Sequence, residues 1–274
     1  MIKKSTNWSA TIFIALGSLL ILFPLYMTIS IALKTPEEMA ESIFSLPTGL
    51  HFENFLKAIE ATNFFNALKN STVITVTSVV FIILTNSMVA YAIARNMKRK
   101  KFFRGLYFYF ISAMFIPFQI IMLPVVKVTT DLNMNNILGI IILYIVYGLP
   151  FNVFVYTGYI RSIPYELEEA ATVDGTSTFG TFWKIIFPLL APVSATVGIL
   201  SCLSIWNDFM LPLVLLGDQD SYTLPLVQYV FQGQFSTDFN LAFASYLLAL
   251  TPMLIVYLFA QKWIISGLTS GAIK

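Results

Sequence analysis

Covalent chemistry and metal binding need reactive side chains in company, and in this chain they are solitary. There is one histidine, His51, and one cysteine, Cys202, so neither a His-Glu-x-x-His zinc pair nor an internal disulfide can form. His51 reads as a solvated loop residue, and Cys202, inside an apolar run, as a small packed hydrophobe. A phosphate-cradling loop ends in Gly-Lys-Ser/Thr, and none of the thirteen glycines is followed by lysine. Nucleotide hydrolysis by this chain is therefore not expected, and neither is a metal or cofactor. What remains is a cluster of four acids, Glu166, Glu168, Glu169 and Asp174, just ahead of Gly175. Acids without a base or a metal do not catalyse. On a short helix they favour the first turn through the backbone dipole and give one face its charge.

The elements that carry this cluster are membrane spans. Of 274 residues, 57% are hydrophobic and 11% charged, with a mean hydropathy of +0.79, against about 45–50% and about 25% in soluble domains. The hydrophobic residues arrive in long runs, and a bilayer core of about 30 Å needs about 20 of them per helix. Five stretches satisfy this directly: Thr11 to Leu33, Ser71 to Ala94, Gly105 to Val126, Ile137 to Tyr159 and Ala242 to Ile265. A sixth runs from Ile185 to Ile205, with Pro188 and Pro192 tolerated near its start. The run Phe209 to Gly217 is too short to cross and contains Pro212, so it reads as interfacial or re-entrant. Lys3 and Lys4 before the first span resemble the flank of a signal peptide. That span is longer than a signal's apolar region and shows no small-residue cleavage site, so it is expected to be retained. The fold class is all-α, a polytopic membrane protein of six transmembrane helices.

Loop charges orient the bundle. Arg95, Lys98, Arg99, Lys100, Lys101 and Arg104 fall between the second and third spans, and translocating them would cost roughly 2.5–3.5 kcal/mol each. That loop is expected inside. Alternation then puts both termini and the Arg161 to Lys184 loop in the cytoplasm and leaves only Lys34, Lys57, Lys69 and Lys127 outside. The net charge of +2 suggests no nucleic-acid partner. A secondary transporter or channel acting without an ATPase normally carries ionisable groups in its spans, and mid-span Asp, Glu, Lys and Arg are missing. Asn86, Gln119 and Asn152 do lie within spans, where they line a pathway or hydrogen-bond between helices.

The inside loop with four acids departs from this charge pattern. Ser162 is a candidate N-cap, Pro164 an early helical residue and Gly175 a left-handed C-cap, which together predict a helix of roughly ten residues. A helix so short is marginal in water and must dock against something. Glu166, Glu169, Ala170 and Val173 share its expected contact face.

Glu169, Ala170 and Ala171, then Gly175, Ile185, Phe187 and Pro188 resemble the EAA loop of ABC importer permeases, with Phe187 in place of the usual leucine. Further segments are similar to the carbohydrate branch of that family, the MalG-like subunits. These are Ile163-Pro164, Glu166-Leu167-Glu168-Glu169, Asp174-Gly175, Trp206-Asn207-Asp208-Phe209, Pro212-Leu213, Thr223-Leu224-Pro225-Leu226 and the tail Ser266 to Lys274.

The resemblance implies a type I importer (MetI-like) permease fold. Residues 1-69 would form an N-terminal helix and extracytoplasmic loop, 70-265 a five-helix core containing the EAA loop at 161-188, and 266-274 a cytoplasmic tail. It further implies a second, MalF-like permease subunit, two cytoplasmic ATPase subunits that bind ATP and magnesium, an extracytoplasmic solute-binding protein and a carbohydrate cargo. By the same resemblance, Glu166, Glu169, Ala170, Ala171, Val173, Asp174 and Gly175 form the coupling helix that meets the ATPase, and the tail is a second candidate contact. The loop from Trp206 to Asn240, rich in aromatics and amides, reads either as a sugar-facing surface or as an interfacial belt. A polyol or glycerol phosphate is the alternative cargo.

Overall fold

In lipid every backbone polar group must be satisfied within its own segment, so the apolar runs fold as helices. The computed structural model describes residues 8–234 and 238–272, and every regular element among them is helical. In chain order the helices are α1 (Trp8–Ala32), α2 (Pro36–Glu41), α3 (Glu53–Ala61), α4 (Phe64–Asn96), α5 (Lys101–Ala113), α6 (Phe118–Asp131) and α7 (Ile137–Ile160). They continue with α8 (Glu166–Val173), α9 (Thr178–Leu189), α10 (Ala191–Asn207), α11 (Met210–Leu215), α12 (Leu224–Gln234) and α13 (Phe239–Ala272). Four stretches are long and apolar enough to cross a membrane: α1, α4, α7 and Phe239–Leu258 of α13.

The third and fifth predicted spans differ from expectation, because each is a bent pair. α5 and α6 meet at 108° and α9 and α10 at 76°, so the count is six if each pair is one span. Proline explains both breaks. Pro117 stands at the N-cap of α6 in extended backbone and keeps the preceding residue out of the helical region. Pro192 occupies the first turn of α10, where a continuous helix would need the amide it lacks. α4 is unbroken but carries a π turn over Ile82–Asn86, a local widening often found at functional positions.

The chain forms two compact units. One joins Met1–Phe65 to Val227–Ile255, the other Asn66–Leu226 to Val256–Lys274. In the first, α1 is apolar all round and buries only Ser30, Ile31 and Ala32, as expected of a helix facing lipid or a partner. Beyond it Lys34 is fully buried and its Nζ donates to the carbonyls of Ser42 (2.8 Å) and Ile43 (3.0 Å) and to the Ser45 hydroxyl (3.1 Å). Asn54 donates to the carbonyls of Ala32 and Lys34, which completes a polar knot at the end of α1. The adjoining α2 starts with a capping box between Thr35 and Glu38. Glu38 also accepts from the hydroxyl and amide of Thr48. Those Thr48 bonds, with the Thr35 amide, hold its carboxyl down at about 2.

In the second unit α7 is the central helix, packed by the second half of α4, by α5 and by α10. Ile82, Ala90, Ile140, Val153, Tyr156, Ile160, Ile186 and Val197 make its core. The one deep hydroxyl among them, Tyr156, donates to Ser194 Oγ at 3.0 Å, which satisfies a group that burial would otherwise penalise.

Candidate functional site

The acid cluster sits where α7 ends. Arg161 is its C-cap, and the next turn runs through buried Ile163 into α8. α8 has eight residues, slightly fewer than expected, and Ser162 is not its cap. The Ser162 hydroxyl donates back to the Tyr159 carbonyl (2.7 Å), because the turn at 161–164 holds it on the side of the preceding helix. Tyr165 occupies the N-cap without a side-chain bond. The first turn relies instead on Glu166, Glu168 and Glu169 against the positive end of the helix dipole.

The other end is well made. Gly175 has φ +76°, its amide donates to the Thr172 carbonyl, and the Thr176 amide donates to the Ala171 carbonyl (2.9 Å). This is the Schellman arrangement, which spends the last carbonyls of the helix. A Cβ at Gly175 would meet nothing within 4 Å, so the demand for glycine comes from the backbone angle and not from space.

α8 has two faces. Glu166, Glu169, Ala170, Val173 and Asp174 are all exposed, Val173 at 87%. Such an apolar side chain on a free, acid-flanked face suits a docking surface. Ala171, grouped with the contact residues in the sequence reading, lies on the opposite face and is buried. Helical periodicity separates it by one position from Ala170 and gives it to packing.

The inward face holds what the sequence reading passed over. Glu168 is buried, its Oε1 accepting from Arg95 Nε at 2.6 Å and its Oε2 from the Tyr91 hydroxyl at 2.7 Å. Arg95 Nη2 also donates to the Ile163 carbonyl at 3.1 Å. The guanidinium carbons of Arg95 and Arg99 stand 5.7 and 5.8 Å from the centre of the Tyr165 ring, within cation–π range. Tyr91 packs in turn on Phe182 of α9, centroids 5.2 Å apart. The end of α4 is thereby tied to both sides of α8 by an ion pair, a hydroxyl bond and ring contacts. Beside this latch lies a cleft of about 530 Å³, lined by Arg95, Asn96, Arg99, Tyr165, Thr172 and Phe179 among others. The signal available in sequence was one base among six and one acid among four. Their pairing spans 73 positions, which no local pattern reveals.

Of the remaining expectations, Asn86 and Asn152 are buried and Gln119 is exposed. In the loop read as either a sugar-facing surface or an interfacial belt, Trp206 is buried and Tyr229 is exposed. The side chains of Phe231, Gln232, Gln234 and Phe235, and those of Ser266 to Lys274, lie outside the described residues. Among the described residues no group of three His, Cys, Asp or Glu comes together that could hold a metal ion.

Four long apolar helices and two bent apolar pairs, each long enough to cross a bilayer, define a multi-pass membrane protein. The chain belongs to the family of binding-protein-dependent transport system inner membrane components, which it matches over residues 86–270. It is 42% identical over 265 residues to the multiple sugar-binding transport system permease protein MsmG of Streptococcus mutans, covering 96% of this chain and 95% of that one. Against the melibiose/raffinose/stachyose import permease protein MelC of Bacillus subtilis it is 36% identical over 253 residues, covering 92% and 91%. Among solved structures, a chain of a bacterial ABC transporter involved in import of the acidic polysaccharide alginate superposes with a TM-score of 0.80, covering 93% of this chain and 95% of that one. Identity there is 24%, so the likeness concerns the fold, which is that of ABC importer permeases.

Proposed function

We propose that this chain is the permease subunit of an ABC importer that carries an oligosaccharide across the cytoplasmic membrane. The observation that carries the reading is the latched α8 helix. Its outer face, Glu166, Glu169, Ala170 and Val173, is free to dock, while its inner face is tied through Glu168 to Arg95 of α4. A push on such a helix moves the span with it, because the ion pair and the Tyr91 bond leave little slack. The names of MsmG and MelC support a sugar cargo, and the family description supports an external binding protein.

In this reading two cytoplasmic ATPase subunits bind ATP and magnesium and close on α8, and the chain itself is not an enzyme. A second, related permease subunit completes the path, and the solute-binding protein delivers sugar from outside. The cation-rich loop 95–104 and both termini face the cytoplasm, in line with the cost of moving those charges across lipid. Glu169, Asp174 and Gly175 belong to the docking surface, and the tail from Ser266 forms a second contact.

The experiment is reconstitution of the whole complex in proteoliposomes with raffinose, maltotriose and glycerol 3-phosphate as labelled cargos. ATP-dependent uptake of an oligosaccharide that needs the binding protein is the expected result. Uptake that continues without any ATPase subunit, or that is confined to glycerol 3-phosphate, would overturn the reading.

A further inference from the structure

The loop at the end of α4 carries more positive charge than the fold spends. Among the described residues the ion pairs are His51 with Glu53 and Arg95 with Glu168. Lys98, Arg99, Lys100, Lys101 and Arg104 therefore stand exposed without a carboxylate partner. Of these five, Arg99 lines the cleft beside the latch. Its guanidinium faces the Tyr165 ring at 5.8 Å and donates no hydrogen bond among the described residues, which leaves a fork of five N–H donors unspent.

That cleft, of about 530 Å³, is ordered along its length. Met88, Ala92, Asn96 and Arg99 succeed one another at helical spacing along one face of α4 and the turn after it. The first two are apolar and half-buried, and the last is charged and exposed. Phe179 and Phe182 of α9 add apolar wall, Phe179 being 63% exposed. Glu168 also lines the cleft, but its carboxylate is spent on Arg95 and Tyr91. The charge left over is that of Arg99, reinforced by the four cations that flank it.

A ligand that fits this order has a negative phosphate at one end and hydrocarbon at the other. A free phosphate would use the guanidinium and leave Met88, Ala92 and Phe179 wet. An ATPase subunit seated on the outer face of α8 would bear on Glu169 and Val173, whereas the cleft lies on the side of Glu168 and Thr172. Cations gathered just cytoplasmic of a span attract anionic lipid, and a basic pocket between helices at that level holds a headgroup.

We infer that the cleft between α4 and α9 binds an anionic phospholipid of the cytoplasmic leaflet, with its phosphate on Arg99 and an acyl chain along Met88, Ala92 and Phe179. This assignment rests on the inward placement of loop 95–104 proposed above. Because Arg99 also covers Tyr165 at the N-cap of α8, a lipid held there touches the start of the coupling helix.

The test uses the full complex in detergent, given phosphatidylglycerol with a photoactivatable diazirine in its acyl chain and, in parallel, the matching phosphatidylcholine. After illumination, peptide mapping should place the phosphatidylglycerol label within residues 88–99 and 178–182. Use of phosphatidylcholine, or of Arg99→Gln, should each lower that label about fivefold, one cation's share of the attraction to anionic lipid, while Arg99→Lys should keep most of it. Glycerol 3-phosphate, a phosphate without chains, should not compete. Absent label, equal label from the two lipids, or label unchanged in Arg99→Gln overturns the site. Label abolished by glycerol 3-phosphate gives the cleft to a free phosphate, and loss of the ATPase subunit from the Arg99→Gln complex gives it to a protein contact; either overturns the lipid. Topology is checked apart from these. Lys98→Cys, in a chain with Cys202 replaced by Ser, should react with an impermeant maleimide in inside-out vesicles only. Reaction from the outer side overturns the orientation and with it the leaflet, whatever the lipids label.

Discussion

Arg95 and Glu168 lose most of their solvent on folding, with side chains 14% and 8% exposed, and this makes the latch measurable by a double-mutant cycle. Glu168→Leu strands the Arg95 guanidinium with only the Ile163 carbonyl and the Tyr165 ring for company, and Arg95→Met strands the carboxylate with Tyr91. Removing one partner of a buried pair costs about 3–5 kcal/mol, whereas replacing both by apolar groups is often close to neutral. The double variant should therefore be more stable than either single one, with a coupling of at least about 2 kcal/mol. A chain of this size shifts its melting midpoint by about 2–4 °C per kcal/mol. Each single variant should then melt about 6–20 °C lower in detergent at a fixed scan rate, and the double variant should recover most of that loss. Additive losses, with the double variant worst of all, would refute the latch.

Three further outcomes follow from the same geometry. Gly175→Val forces a β-branched residue to φ +76°, a strain of about 1–2 kcal/mol or more, and should abolish ATP-driven uptake while Gly175→Asn, which tolerates that angle, keeps most of it. Lys34→Met leaves the two carbonyls and the hydroxyl around the buried Nζ without their donor. That should cost roughly 3 kcal/mol, seen as lost hydrogen-exchange protection across residues 42–54. The Glu38 carboxyl is held at about 2 against an ordinary 4.5, so its stabilisation is present above 4.5 and disappears as pH falls toward 2. Exchange protection around Thr48 should persist at about pH 3.5 and collapse near pH 2, and Glu38→Gln should remove that dependence.

The legible parts of this molecule were those governed by local physics. Apolar run length placed the four long spanning helices and the two bent pairs, because lipid leaves a helix little alternative. Gly175 and the acids ahead of it announced α8, since a left-handed cap and a dipole-favoured first turn are written in adjacent residues. The bends at Pro117 and Pro192 were less visible: both prolines could be seen, but whether one kinks a helix or splits it depends on what packs around it. Ser162 looked like a cap by type and position, and the geometry of the turn after α7 took its hydroxyl elsewhere. Least legible was the division of labour inside the acid cluster. Glu168 and Glu169 are chemically alike neighbours, yet one is buried against Arg95 and the other faces solvent, a difference set by the rotation of α8 against α4.

The central claim is that the outward face of α8 receives force from an ATPase subunit while the inward face passes it to α4. Single cysteines at Ala170, Ala171 and Val173, in a chain with Cys202 replaced by Ser, test it by cross-linking in the assembled complex. Val173→Cys and Ala170→Cys should join to the ATPase subunit and Ala171→Cys should not. Equal cross-linking at all three, or none at Val173, would contradict the account.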